Sequence, residues 1–226
     1  MLTDTETKQT YFNRYWQTRD LPSADARSMQ RAELTRSLLG EPYNADILEV
    51  GCGRGTVLTH LSDAGYNITG CDISSQSVAD LVSIGADVFL CDIEHDDLPA
   101  NYNVILCLEV LQQIFDPVAA LSKCARHLTD GGFMVVSVPN EFHLVSRLKL
   151  LFGSSHLGHF GESHIRLFTP RRAREMFAAA GLRVEKVIPV SIIPPRLRWL
   201  NAFGRLLAKL SPGLFSLSQI YRVRQQ

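Results

Sequence analysis

LEVGCGRGTVL, residues 48–58, decides the fold. An apolar strand-like run, ADILEV (45–50), passes directly into glycines and then into a helical stretch holding Val57, Leu58 and Leu61. Glycines placed directly after a strand let backbone approach a ligand closely and let a helix start at once with free N–H groups. Two ligand classes use this arrangement. A dinucleotide site wants a small third residue in G-x-G-x-x-G/A, whereas this loop carries Gly51, Gly53 and Gly55 with Thr56 in the third position. Glu49, just before the loop, opposes a pyrophosphate and suits a ligand with a positive ammonium or sulfonium group. A nicotinamide cofactor is therefore disfavoured.

Outward from the loop, strand-like and helix-like segments alternate. NITGCD (67–72), DVFLCD (87–92), NVILCL (103–108) and FMVVSV (133–138) are the next strand candidates. Ser74–Ser75 caps a helix with Val78, Leu81 and Val82 that stops near Gly85. Asp116-Pro117 supplies an N-cap and first position for VAALSKCARHL, with Gly131-Gly132 predicted to end that helix. Thr169-Pro170 opens RRAREMFAAA, stopped by Gly181, and RVEKVIPV and SQIYRVR are the last two strands. Continuous apolar strands separated by helices predict a parallel sheet covered on both faces, a doubly wound α/β fold. The expected organisation is one domain: an N-terminal helical cap over 1–40, a core over 41–140, and a substrate-side region over 141–226.

Three successive strand ends carry an acid. Asp72, 21 residues after Gly51, is placed to accept both hydroxyls of an unphosphorylated ribose. Asp92 could meet an adenine amino group, with Ile93 on the ring face. Together with Glu49 these acids are expected to converge at the carboxyl edge of one sheet, where such folds bind ligands.

ILEVGCGRGTVL, CDIS, CDIE and LTDGGFMVVSVPN resemble the successive motifs of class I S-adenosylmethionine-dependent methyltransferases. The resemblance is close over residues 46–140 and extends to HIRLFTPRRAREMFAAAGL (164–182). It implies a seven-stranded, mostly parallel Rossmann-like sheet with an antiparallel last strand, S-adenosylmethionine as cofactor and S-adenosylhomocysteine as product. Glu49, Gly51, Cys52 and Gly53 would hold the methionine part, Asp72 the ribose, and Ile73, Asp92 and Ile93 the adenine. Cys107 and Leu108 would lie near the methionine carboxylate and the methyl. Within the family the chain is similar to the small-molecule branch near MetW and the ubiquinone-type O-methyltransferases. The latter carry E-x-x-E-H after strand four for a divalent metal. This chain keeps Glu109 but has Gln112 and Gln113, poor substitutes for a carboxylate and an imidazole, so no metal site is expected.

The 226 residues are 46% hydrophobic and 20% charged, which excludes wholesale disorder. No apolar run is long enough to span a membrane, and the N-terminus lacks the pattern of a secretion signal. Five cysteines without a CxxC pair are expected to be buried, reduced thiols of a cytoplasmic protein. The net charge of zero argues against a general nucleic-acid binder, yet it is unevenly spread. Residues 1–113 hold 17 acids and 7 basic residues, and residues 114–226 hold 6 and 16.

Methyl transfer from a sulfonium needs alignment, plus a base when the acceptor is a hydroxyl or an ammonium. Candidates cluster after the fifth strand: His143, His156, His159 and His164, beside Arg166 and further arginines. His143 or His164 is the expected base, and Arg166 the expected partner of an acceptor's carboxylate or phosphate. Alternation along an extended segment puts His164 and Arg166 on one side. Tyr11, Phe12, Tyr15 and Trp16 form an aromatic stripe, and the resemblance makes Tyr15 and Trp16 lid residues over a substrate. Residues 194–215 read as a basic amphipathic helix. Packing on its own domain is its expected fate, with a lipid surface or dimerisation as the alternatives. The resulting expectation is a metal-independent methyltransferase for a small, anionic or amphipathic acceptor. The alternative, implied by the MetW resemblance, is a cofactor-binding regulatory subunit of a partner acyltransferase.

Overall fold

The computed structural model of the protein describes residues 4–18, 26–42, 44–154, 164–193 and 198–226. His156, His159 and residues 194–197 lie outside the described residues. The elements run α1 (Asp4–Thr18), α2 (Ala26–Leu39), β1 (Ile47–Val50), α3 (Thr56–Asp63), β2 (Ile68–Asp72), α4 (Ser75–Ser83), β3 (Val88–Leu90) and β4 (Tyr102–Leu108). They continue with α5 (Pro117–Arg126), β5 (Leu128–Pro139), α6 (Leu144–Leu151), α7 (Pro170–Ala179), β6 (Leu182–Ser191), α8 (Asn201–Leu210), α9 (Pro212–Phe215) and β7 (Ser216–Gln225). The strands form one seven-stranded sheet in the order β3-β2-β1-β4-β5-β7-β6. β1 pairs in parallel with β2 and β4, while β7 is antiparallel to both β5 and β6. This is the doubly wound, mostly parallel sheet that the apolar runs require, with the antiparallel strand last in sequence.

The chain divides into two compact units, Met1–Leu108 with Arg126–Phe133, and Glu109–Ala125 with Met134–Gln226. In the first unit Ile47, Leu48, Ile105 and Leu106 are at most 2% exposed, as strands covered on both faces must be. Local chemistry sets where the helices begin. The Ser74 hydroxyl accepts from Ser77 N–H at the start of α4. A second cap reaches α4 from α1: Asn13 Oδ1 accepts from the Ser74 hydroxyl at 2.8 Å and lies 3.3 Å from Gln76 N.

In the second unit β6 and β7 form a long antiparallel pair whose core is Phe177 against Tyr221, ring centroids 5.0 Å apart. The Asp116 carboxylate accepts from Ala119 N–H, and the Thr169 hydroxyl from Arg172 N–H, at the starts of α5 and α7.

Two expectations are revised. α5 ends at Arg126, and Gly131-Gly132 lies inside β5 rather than closing the helix. Gly132 is in the strand because a side chain there would meet the Asn103 and Thr129 carbonyls at 2.9 Å. The 194–215 insertion is not one helix either. A 3-10 turn (Arg198–Leu200) leads into α8, which breaks at Ser211 before Pro212 starts α9.

Candidate functional site

The loop after β1 is built by glycines in a conformation other residues resist. Gly51, Gly53 and Gly55 have φ of 70°, 53° and 72°, the left-handed region. Gly51 and Cys52 N–H both donate to the Cys71 carbonyl, which ties the loop to β2. Space is as restrictive as torsion. A Cβ on Gly53 would stand 2.7 Å from the Trp16 ring, and one on Gly55 would stand 2.4 Å from Leu81.

Asp72 closes this loop from the end of β2. Its Oδ2 accepts from Gly53 N–H and its Oδ1 from Ser74 N–H, each at 2.8 Å. Burial raises its pKa, and the Ser74, Gly53 and Ile73 N–H groups work against that rise. A carboxylate offers about four acceptor positions, so these N–H groups leave it capacity to meet a hydroxyl. Ile73 follows it, half-buried. Asp92 lies two residues beyond the short β3. It is engaged locally, with Oδ1 accepting from Glu94 N–H at 3.0 Å and Oδ2 at 2.8 Å from His95 Nδ1. Ile93, Cys107 and Leu108 are buried.

Glu49 is 3% exposed, and its Oε2 has no hydrogen-bond partner among the described residues. Burial pushes its pKa up from 4.5 to about 8; Arg31 of α2 and the Leu58 N–H oppose the rise, and Asp72 adds to it. A buried, unpaired carboxylate oxygen beside a glycine loop has the chemistry to receive a cationic ligand group. The residues therefore fit a ligand with an ammonium and a ribose. Cys52 is no nucleophile: burial, with Glu49 and Asp72 close by, drives its thiol pKa far upward. All five cysteines are buried, and none is in a disulfide.

Trp16, expected over a substrate, lies with its ring on Gly53. Arg54 donates to the Trp16 carbonyl, and Lys8 pairs with Glu94 at 2.7 Å, so α1 is anchored on the loops after β1 and β3. Tyr15 stacks edge-on against Trp16, centroids 5.0 Å apart. Gly53→Ala is expected to lose about 1–3 kcal/mol of stability through φ and the Trp16 clash together. Adding Trp16→Ala should recover the clash component in thermal denaturation, leaving only the torsional part.

In the second unit His164 and Glu141 form a buried pair, Nδ1 to Oε1 2.8 Å, with 9% and 6% exposure. Glu141 went unread in the sequence, although an acid just past a strand was the pattern already used for Asp72 and Asp92. His143 is the N-cap residue of α6, with Nε2 3.2 Å from the Ser146 hydroxyl. Arg166 is exposed and donates to the Phe115 carbonyl. His164 and Arg166 thus do not share a side. The segment is not a regular strand, because Ile165 and Arg166 N–H both donate to the Gln112 carbonyl, at 2.9 and 3.0 Å.

Glu109, the acid kept from the E-x-x-E-H pattern, has a backbone conformation that the sequence did not show. It is the one non-glycine residue with positive φ, 59°, among the described residues. Ser137 holds it there: its hydroxyl accepts from Glu109 N–H at 3.0 Å and donates to Glu109 Oε1 at 2.8 Å. Gln112, fully buried, donates to the Glu109 carbonyl at 2.7 Å while its own Oε1 has no partner among the described residues.

The model of a methyltransferase domain matches residues 23–187. Among curated relatives, a ubiquinone biosynthesis O-methyltransferase of Nitrosospira multiformis is 27% identical over 161 residues, covering 66% of this chain and 67% of its own. The Idiomarina loihiensis protein of the same name is 34% identical over 107 residues, 44% of each chain. The chain thus spans between under half and about two thirds of the length of these relatives. In fold, magnesium protoporphyrin IX methyltransferase of Synechocystis PCC 6803 superposes with a TM-score of 0.65 at 16% identity, over 99% of this chain and 100% of the other. With a family match over most of its length on a cofactor loop of this build, the chain belongs to the methyltransferase-domain family and is a class I S-adenosylmethionine-dependent methyltransferase.

Proposed function

We propose that the protein transfers the methyl group to an oxygen of a small, anionic or amphipathic acceptor, without a metal. When bound, S-adenosylmethionine supplies a methyl group activated on a sulfonium. On this reading Glu49 and the Gly51–Cys52–Gly53 backbone hold its methionine part, Asp72 its ribose, and Ile73, Asp92 and Ile93 its adenine. Cys107 and Leu108 line the methionine end.

The observation that carries the acceptor chemistry is the buried Glu141–His164 pair. A carboxylate on Nδ1 fixes the imidazole tautomer and stabilises the cation formed when Nε2 takes a proton. That is the equipment for deprotonating a hydroxyl as it is methylated. Names of curated relatives support transfer to oxygen. Exposed Arg166 supplies a guanidinium for an acceptor carboxylate or phosphate, and His143 is the reserve base. Metal independence rests on Gln112 and Gln113, whose neutral amides replace stronger ligands, and on Glu109, whose carboxylate is engaged by Ser137.

The test incubates the protein with methyl-labelled S-adenosylmethionine and a native small-molecule extract, then partitions the label. His164→Ala should lower kcat by about 10²–10⁴-fold with KM for the cofactor unchanged. Glu141→Gln should lower it less and shift the pH profile. Undiminished transfer in His164→Ala removes the base assignment. Cofactor binding with no transfer to any extract, and co-elution with an acyltransferase, would replace the enzyme reading with a regulatory one.

A further inference from the structure

α8 is mounted the wrong way round for a helix that packs on its own domain. Its buried positions are the small ones, Gly204 and Ala208, which lie toward β6. The approach is close enough to demand glycine: a Cβ on Gly204 would meet Ser191 Oγ at 2.6 Å and Ile193 Cδ1 at 2.7 Å. The large apolar side chains are left outside. Trp199, Phe203, Leu206 and Leu210 are 81%, 55%, 53% and 73% exposed. At 100° per residue Phe203, Leu206 and Leu210 fall in one stripe about 60° wide, and Trp199 precedes it in the 3-10 turn. The sequence pattern shows two faces but not which is buried, so the expectation of internal packing is reversed for the large-residue face.

The charge carried on α8 itself is of one sign, Arg205 and Lys209 with no acid. From Lys186 to the C-terminus there are seven lysines and arginines and no acid. Arg205 and Lys209, both exposed, flank the stripe on one side. α9 packs against both α8 and α6. α6 adds exposed Leu148, Leu151 and Phe152 with exposed Arg147 and Lys149. Exposed apolar stripes of this size are rare on soluble monomers without a partner.

We propose that this face docks on an anionic phospholipid bilayer. An interfacial helix buries Trp, Phe and Leu at the level of the headgroups, while lysine and arginine extend to lipid phosphates. A second copy meeting the same face through a two-fold axis would set Arg205 and Lys209 against their own like charges, whereas an anionic surface complements them. The helix stays locked with its small side on β6, so docking needs no refolding.

The full chain is floated with vesicles of phosphatidylcholine alone and of phosphatidylcholine with one third phosphatidylglycerol. Binding is expected to the anionic vesicles and to weaken with salt. Brominated acyl chains should quench a tryptophan signal that disappears in Trp199→Phe. Phe203→Glu with Leu206→Glu, both at exposed positions, should lower the partition coefficient at least about tenfold. Arg205→Gln and Lys209→Gln should each lower it about fivefold. The thermal shift given by S-adenosylhomocysteine should be the same in all of these variants. No flotation, flotation indifferent to lipid charge, or flotation unchanged by the glutamate pair overturns the proposal. A dimer broken by that pair, without vesicle binding, overturns it in favour of a second copy.

Discussion

Asp72→Ala is expected to abolish measurable cofactor binding, and it does so through two routes that a second substitution separates. The carboxylate holds the glycine loop by accepting from Gly53 and Ser74 N–H, and its remaining lone pairs are the ones offered to the ribose. Alanine leaves both buried donors without an acceptor, at about 1–3 kcal/mol for each group so stranded. Hydrogen bonds to a charged acceptor contribute about 1.5–3 kcal/mol apiece, so loss of the ribose contacts alone weakens binding by about 10²-fold or more. Asp72→Asn keeps a carbonyl oxygen for one N–H and removes the charge. It should stay closer to wild type in thermal stability while still losing most of the affinity. Calorimetric titration with S-adenosylhomocysteine on both variants is the measurement. Affinity within threefold of wild type in Asp72→Asn would show that the carboxylate only organises the loop and does not hold the ribose.

The glycine loop and the acids beside it were legible because their information is local. Gly51, Gly53 and Gly55 announce their positive φ by having no side chain, Ser74 and Thr169 announce helix starts, and each acid stands where an apolar run stops. The region after the fifth strand is written in contacts between distant residues. His164 and Glu141 are 23 positions apart, and only the fold brings Nδ1 to Oε1. Glu109 in the left-handed region has no signature in composition, since Ser137, 28 residues on, imposes it. Gln112 resembled a degraded metal motif, yet its side-chain amide and its carbonyl serve as struts between the Glu109 backbone and the 165–166 backbone. The orientation of α8 was partly readable: Gly204 and Ala208, four apart, mark a side fit for close approach, a clue that outweighs the amphipathic pattern. Glu141, just past the fifth strand, could have been found by the rule that found Asp72.

Glu49 makes the protein's response to pH a direct probe of the site. Its pKa is about 8 when folded against 4.5 as a free side chain, with burial the leading cause. Between these values the folded chain keeps a proton that the unfolded chain has released, so raising the pH favours unfolding. Stability from this group is complete below pH 4.5 and lost as pH climbs through 8, a span on the order of 5 kcal/mol. Glu49→Gln removes that slope. Its melting temperature relative to wild type should therefore rise across the interval, by roughly 10–20 °C. A constant offset at all pH values, from the amide's own buried N–H groups, does not affect the slope. Cofactor binding runs the opposite way in the wild type. A cationic ligand selects ionised Glu49, so affinity should increase about tenfold per pH unit up to 8, with a proton released on binding. The glutamine variant should show weaker affinity, nearly flat over the same range. Denaturation profiles that stay parallel, or equal proton release from both proteins, would mean that Glu49 is ionised before the ligand arrives and that Arg31 already balances it.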